Sequence, residues 1–171
     1  MEVIKAKSKK LQLKIPNFKE LAYRKKLLAD SETMAYNIGY GEIEGTGCID
    51  FKENVWKEWY CRWINNMPER YYAYIMNTDE NIPIGEASLR YVNDKNAYCV
   101  NIIIEAKHRG KGFSEQALKL LVDFAFNELG AEKLFDDFPK SRINAEKAFR
   151  EIGFKRISDD IVELDKNHYS I

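Results

Sequence analysis

The chain has 171 residues, 45% of them hydrophobic and 32% charged, which is the size and composition of one ordinary domain with a full core. That excludes a disordered or low-complexity chain, which lacks the apolar content needed to offset chain entropy. Lys plus Arg is 27 and Asp plus Glu is 27, so the basic excess expected of a sequence-independent nucleic-acid binder is missing.

Residues from about 3 to 15 alternate, with Leu11, Leu13 and Ile15 set against Gln12 and Lys14, and predict a strand. Lys5, Lys7, Lys9, Lys10 and Lys14 make a local basic run there, read as a solvated strand edge that discourages pairing. From about 17 to 29 the Leu, Ala and Lys content favours a helix. Gly39-Tyr40-Gly41 and Gly45-Thr46-Gly47 then predict an irregular loop. Asp50 followed by Glu53 reads as a capping box opening a helix over about 51–65. Its Trp56, Trp59, Tyr60 and Trp63 recur at helical spacing, most simply as the buried face of an amphipathic helix, with a ligand-lining wall as the alternative.

Three strand-like runs follow. Tyr71 to Met76 is aromatic-rich and ends at the turn signal Asn77-Thr78-Asp79-Glu80-Asn81. Ile84 to Val92 alternates, placing Ile84, Glu86, Ser88 and Arg90 on one face and Ala87, Leu89 and Tyr91 on the other. After Asn93-Asp94-Lys95-Asn96, Tyr98 to Ile104 is almost continuously apolar, the pattern of a strand covered on both faces. Leu118, Leu121, Val122, Ala125 and Leu129 mark an amphipathic helix that stops at Gly130. Glu132 to Phe135 reads as a strand, Asp136-Asp137 as an acidic loop, about 142–152 as a helix ending at Gly153, and Ile161 to Leu164 as a closing strand. With no linker, repeat or composition shift, residues 1–171 read as a single α/β domain around a mixed sheet.

Cys48, Cys61 and Cys99 are odd in number, widely spaced and free of any C-x-x-C pair. Reduced thiols in a cytoplasm fit them better than a disulfide framework. No apolar run approaches 18 residues and no signal-type segment opens the chain, so the expected protein has no membrane partner.

The informative segment is Ile102-Ile103-Ile104-Glu105-Ala106-Lys107-His108-Arg109-Gly110-Lys111-Gly112-Phe113-Ser114. A buried strand runs into a glycine turn that opens onto a helix. First-turn helix amides lack internal partners and the dipole is positive there. Gly110 and Gly112 let a phosphate approach those amides, and Arg109 and Lys111 add charge, which makes an anion cradle. An ordinary tight strand–helix connection is the alternative. Neither a P-loop nor a G-x-G-x-x-G fingerprint fits, because Gly112 follows Lys111 where a P-loop needs Ser or Thr, and position 115 is Glu.

With Arg109, Gly112 and Ser114 in its defined positions, the segment resembles the coenzyme A loop, [QR]-x-x-G-x-[GA], of the GCN5-related N-acetyltransferase (GNAT) superfamily. Ser114 is a mild departure. Ile152-Gly153-Phe154 is similar to that family's helix–Gly-Phe–strand junction, and the order of elements agrees over nearly the whole chain. The resemblance implies a single N-acetyltransferase domain with a mixed, mostly antiparallel sheet and helices on both faces. It implies acetyl-CoA as cosubstrate without a metal, and direct transfer to the amine of a small molecule or peptide. A homodimer is left open. It also implies that pantetheine pairs with the backbone of Ile102, Ile103 and Ile104, that the Ile104 amide serves as an oxyanion contact, and that the pyrophosphate sits on the amides of Arg109, Gly110, Lys111, Gly112, Phe113, Ser114 and Glu115.

The family often places an Asn against coenzyme A and, seven residues later, a Tyr that protonates the thiolate; Arg142 and Phe149 stand at those positions here. Asn144 replaces the Asn if the preceding loop shifts, and Arg142 meets a phosphate instead. For deprotonation of the amine the first candidate is Glu86, on the polar face of a central strand, with a solvated or Arg-paired strand residue as the alternative reading and Glu105 as the second candidate. His108 reads as an exposed loop residue, and Asn101 either bonds within the core or lines the acceptor cleft. The missing Tyr and the lack of an assured base keep a second reading open, a catalytically weak acyl-CoA-binding or sensing domain. Transfer to a hydroxyl, or of a longer acyl chain, is a third.

Overall fold

A computed structural model of the chain describes residues 3–7, 10–39 and 45–170. Tyr40 and Gly41 of the first glycine stretch, and Lys9 of the basic run, lie outside them. Eight strands form one sheet: β1 (Val3–Lys7), β2 (Leu11–Ile15), β3 (Arg70–Asn77), β4 (Ile82–Val92), β5 (Ala97–Ile104), β6 (Lys133–Asp137), β7 (Lys155–Arg156) and β8 (Ile161–Asp165). Their spatial order is β1-β2-β3-β4-β5-β6-β8-β7. Every neighbouring pair is antiparallel except β5 with β6, so the expected mixed, mostly antiparallel sheet is present.

Helices cover both faces. On one side α4 (Phe113–Asn127) and α5 (Ile143–Ile152) bury Leu118, Leu121, Val122, Ala125 and Phe149 against Leu13, Tyr71, Leu89, Val100 and Leu134. On the other, α1 (Leu21–Ala29), α2 (Ser31–Met34) and α3 (Trp56–Trp63) build smaller clusters, Leu21, Leu28, Met34 and Phe51 around Ile103, and the Tyr72-Tyr74-Met76 row under Trp59 and Trp63.

Four details differ from the sequence reading. The alternation over 3–15 belongs to two strands, with Val3 opposite Ile15 and Lys7 opposite Gln12; no Gly, Pro or Asn in Ser8-Lys9-Lys10 signals the reversal. Asp50 and Glu53 form no capping box. A 3-10 turn at Glu53–Val55 precedes α3, and neither has a side-chain cap. A capping box occurs instead at Asn17 and Glu20. Ile84 is the extra residue of a bulge between Ile75↔Gly85 and Met76↔Pro83, which turns it into the α4-side core and away from Glu86. Asp136 and Asp137 close β6 and form no loop, because they pair with Val162 and Ile161 of β8.

Candidate active site

The one parallel junction is short. β5 meets β6 through Tyr98↔Leu134 and Cys99↔Phe135, whereas β4 pairs with β5 along its whole length to Gly85↔Ile104. Past Cys99 the two parallel strands part, leaving the far half of β5 with an open edge among the described residues. The Glu105 amide donates to the Ile84 carbonyl at 2.9 Å, so strand alternation turns the backbone groups of Ile103 toward β4 and those of Ile102 and Ile104 toward the opening. Gly85 permits the tight β4–β5 contact, since a Cβ there would lie 2.1 Å from the Ile103 carbonyl oxygen.

Beyond β5 the chain makes a 3-10 turn at Ala106–His108 and enters α4 through Gly110 (φ +75°) and Gly112 (φ +78°). Both sit in left-handed backbone that favours glycine. A Cβ on Gly110 would meet nothing within 4 Å, and one on Gly112 only Gln116 Nε2 at 3.9 Å, so the ground above the loop is open. The Arg109 amide is bonded to the Ala106 carbonyl. The amides from Gly110 to Glu115 have no acceptor among the described residues, which fits a phosphate cradle at the start of a helix.

Arg109 does not reach into that cradle. Its Nε donates to the Ile104 carbonyl at 3.2 Å and its NH2 to the Thr33 carbonyl at 2.7 Å. The Thr33 hydroxyl in turn accepts the Ala106 amide at 2.9 Å. Arg109 and Thr33 thus clamp the loop to α2. Phe113 packs on the core, whereas Lys111 and Ser114 are exposed. Glu115 sits against Glu151 of α5, whose carboxylate pushes the Glu115 carboxyl up. His108 is buried, not exposed as expected, and its Nε2 has no partner among the described residues.

A cavity of about 240 Å³ lies beside the opening, on the α1–α3 face of the sheet. Its floor is Tyr72 of β3, Glu86, Ser88 and Arg90 of β4, and Cys99 and Asn101 of β5; its wall is Arg24 of α1 with Trp59 and Trp63 of α3. Asn101 therefore lines the cleft, and the tryptophan stripe is half-buried core and cavity wall at once. Glu86 is 3% exposed. Arg24 NH1 donates to both its oxygens and the Tyr72 hydroxyl to one, filling three of roughly four acceptor positions. The Arg24 guanidinium also lies 4.6 Å from the Trp59 ring and 5.1 Å from Phe51. Glu86 is thus the anchor of a buried arginine, the Arg-paired strand residue that stood as the alternative to a base. Glu105 accepts the Tyr23 hydroxyl at 2.7 Å and pairs with Lys107 at 3.2 Å.

On the far bank Arg142 caps α5 and lies 4.9 Å from the Tyr36 ring and 5.7 Å from Phe138; Asn144 is exposed. Phe149 is packed between Phe138 and Phe154, with ring centroids at 5.2 and 4.8 Å, so the position where the family often carries Tyr is core here. Sequence reasoning passed over Tyr36, which follows α2 in a 3-10 turn (Ala35–Asn37). Burial first, then the Glu86 charge, pushes its hydroxyl up to about 12, against the pull of Arg142, Arg109 and Arg24. Tyr36 therefore feels both the cavity pair and the loop side. Its hydroxyl has no hydrogen-bond partner among the described residues. Cys99, Asp136 and Asp137 place ligand-type atoms within 4.8 Å of one another. Burial, then the two aspartates, pushes the Cys99 thiol up to about 12, so it stays protonated at neutral pH.

Residues 13–155 match the family model described as the acetyltransferase (GNAT) domain. The chain superposes on an acetyltransferase of the GNAT family from Bacillus anthracis with a TM-score of 0.74 at 14% identity, covering 98% of this chain and 99% of that one. It superposes equally on the spermidine N-acetyltransferase of Vibrio cholerae in complex with CoA and spermine, TM-score 0.74 at 17% identity, covering 95% and 99%. FdhC, a nucleotide-linked sugar GNAT, gives 0.71 at 18% identity, covering 96% and 92%. In sequence, 71 residues are 35% identical to the uncharacterized N-acetyltransferase YobR of Bacillus subtilis (strain 168), 42% of this chain and only 26% of that protein. A cleft where parallel strands part above a glycine loop, together with a family match over most of its length, settles the kinship: the chain belongs to the GNAT family of acetyltransferases.

Proposed function

We propose that residues 1–171 act as one cytoplasmic, acetyl-CoA-dependent N-acetyltransferase domain that transfers an acetyl group directly to a primary amine seated in the 240 Å³ cavity. The observation that carries this reading is the parting of β5 from β6 immediately above a loop of unengaged helix-start amides. An amine acceptor is supported by the spermidine N-acetyltransferase among the structural neighbours.

When bound, acetyl-CoA supplies the activated acetyl group. This chain's own residues do the rest. Ile102 and Ile104 offer outward-facing backbone groups to the pantetheine amides. The Ile104 amide stabilises charge developing on the thioester oxygen. The amides of Gly110, Lys111, Gly112, Phe113, Ser114 and Glu115 receive the pyrophosphate, and Arg142 and Asn144 flank it from α5. Glu86 holds Arg24 and Tyr72 in the cavity wall, and the acceptor ammonium loses its proton through water that uses the remaining carboxylate lone pair. Tyr36, protonated at neutral pH, donates a hydrogen bond to the departing thiolate, which leaves as the anion of a thiol with a pKa of roughly 8.5 and takes its proton from water.

The sensor reading rests on Phe149 and on the lack of an assured base. The Phe149 ring is core, so that position by itself does not argue for an inactive protein, whereas the pairing of Glu86 with Arg24 keeps the second ground. The test is calorimetric titration of Gly112→Ala with acetyl-CoA. A methyl group on left-handed backbone strains the loop and fills the cradle, so affinity should fall at least about tenfold, roughly 1.4 kcal/mol. Unchanged affinity in a folded variant removes the loop assignment. Acetyl-CoA binding without turnover on any amine restores the sensor.

A further inference from the structure

We propose that the acceptor amine also carries an anionic group, a carboxylate or a phosphate, and that Arg90, backed by Arg70 and Arg62, seats it at the mouth of the cavity. This rests on the acetyltransferase reading, because it names the acceptor class for the same site.

The charges around the cavity do not balance. Its lining holds two guanidiniums, Arg24 and Arg90, and one carboxylate, Glu86. The deep pair, Arg24 with Glu86, is closed on itself; their side chains are 15% and 4% exposed. Arg90 is exposed and has no carboxylate within ion-pair distance among the described residues. Directly across the β3–β4 register stands Arg70, its guanidinium 4.7 Å from the Trp63 ring. Burial, then Arg90 and Arg62, hold Arg70 below its ordinary value, so the three charges crowd one another. Arg62 has only an exposed partner one helical turn away, Glu58, and such pairs are weak. Like charges directly opposite on paired strands are destabilising. An anion between them removes the repulsion and can be held by paired N–H donors. The nearest acids on β6, Asp136 and Asp137, lie beside Cys99 and form no ion pair with Arg90 among the described residues; Asp136 feels Arg142, and Cys99, which bonds Arg90, is a neutral thiol.

The register also sets a span. Glu86 stands opposite Ile103, beside the opening, whereas Arg90 stands opposite Cys99. Four residues of strand separate them, roughly 13 Å by the usual rise, and the reach of the arginine shortens that. An amine at the thioester and an anion at Arg90 therefore belong to opposite ends of a chain several bonds long. A polyamine would instead bring a second cation against uncompensated guanidiniums.

The test compares kcat/KM for 6-aminohexanoate, 6-aminohexyl phosphate, hexylamine and spermidine with saturating acetyl-CoA. The anionic amines should exceed hexylamine by at least about tenfold, with spermidine poorest and the preference shrinking in high salt. Whichever anionic amine is favoured identifies the group. Arg90→Gln should collapse the anionic-to-neutral ratio and Arg90→Lys should restore part of it; both are surface changes whose folding is checked by melting. Spermidine or hexylamine used as well as the anionic amines would overturn the inference and leave the acetyltransferase reading standing. If nothing is acetylated, that reading fails, and calorimetry with 6-aminohexyl phosphate decides the anion site separately. Binding weakened about tenfold by Arg90→Gln supports it, and equal binding overturns it.

Discussion

Tyr36 and Glu86 show how one residue's neighbours set its task. A phenol pushed up to about 12 keeps its proton at neutral pH and is a weaker acid than an ordinary tyrosine, so Tyr36 is suited to donate a hydrogen bond to developing charge and not to give the proton up. Tyr36→Phe, by removing a hydrogen bond to the leaving thiolate, should therefore lower kcat by about tenfold or more, with acetyl-CoA affinity unchanged by calorimetry; an unaltered kcat would show that Tyr36 does not stabilise the thiolate. Phe149→Tyr should not raise kcat, because the new hydroxyl enters a ring cluster with no partner. Glu86→Gln is a stability experiment before it is a kinetic one. It leaves Arg24 buried beside a neutral amide, and breaking a buried pair from one side costs about 3–5 kcal/mol. Thermal melting should show a large loss, and a variant that melts with the parent would mean the pair is solvated.

At the scale of elements, the site depends on how the loop is tied down. Arg109 joins the end of β5 to α2 through carbonyls of Ile104 and Thr33. Arg109→Ala should lower stability by about 1.5–3 kcal/mol, the worth of charge-assisted bonds, and loosen acetyl-CoA binding by letting the amides drift. Loss of stability with affinity intact would show that the loop holds its shape alone. Long elements with one strong period, such as α4 and β5, were legible to within a residue or two. The short ones were not: the sequence between β1 and β2 carries no Gly, Pro or Asn, and the Asp50–Glu53 spacing satisfies a cap pattern that the 3-10 turn leaves unused. Ile84 was misplaced because a bulge adds a residue to β4, and period-two reasoning assumes that none is added.

For the molecule as a whole, Asp136 adds a pH dependence. Burial first, with Asp137 adding, pushes its carboxyl from 3.8 up to about 7. Between those values the folded chain holds a proton that the unfolded chain has released, so this group's contribution to stability falls as pH rises from about 4 to about 7. Asp136→Asn removes the penalty. Its melting temperature should exceed the parent's by more at pH 8 than at pH 5, and a constant gap would show that Asp136 is solvated. Among the described residues no helix is long and apolar enough to cross a membrane.

What the sequence determined by itself was local and periodic. The alternation of β4, the apolar run of β5 and the glycines before α4 are properties of contiguous residues and located the strands and the loop; the family and its mostly antiparallel sheet came from the resemblance carried by Arg109, Gly112, Ser114 and Ile152-Gly153-Phe154. The tertiary structure decided what depends on residues far apart in the chain. Arg24 and Glu86 are 62 positions apart, and Arg109 and Thr33 are 76 apart; no spacing rule relates such pairs. Whether a carboxylate is a free base or the partner of a buried arginine is set by what the fold carries to within bonding distance. The same holds for the three guanidiniums at the cavity mouth, which come from a helix and two strands and become one charged surface only when β3, β4 and α3 meet.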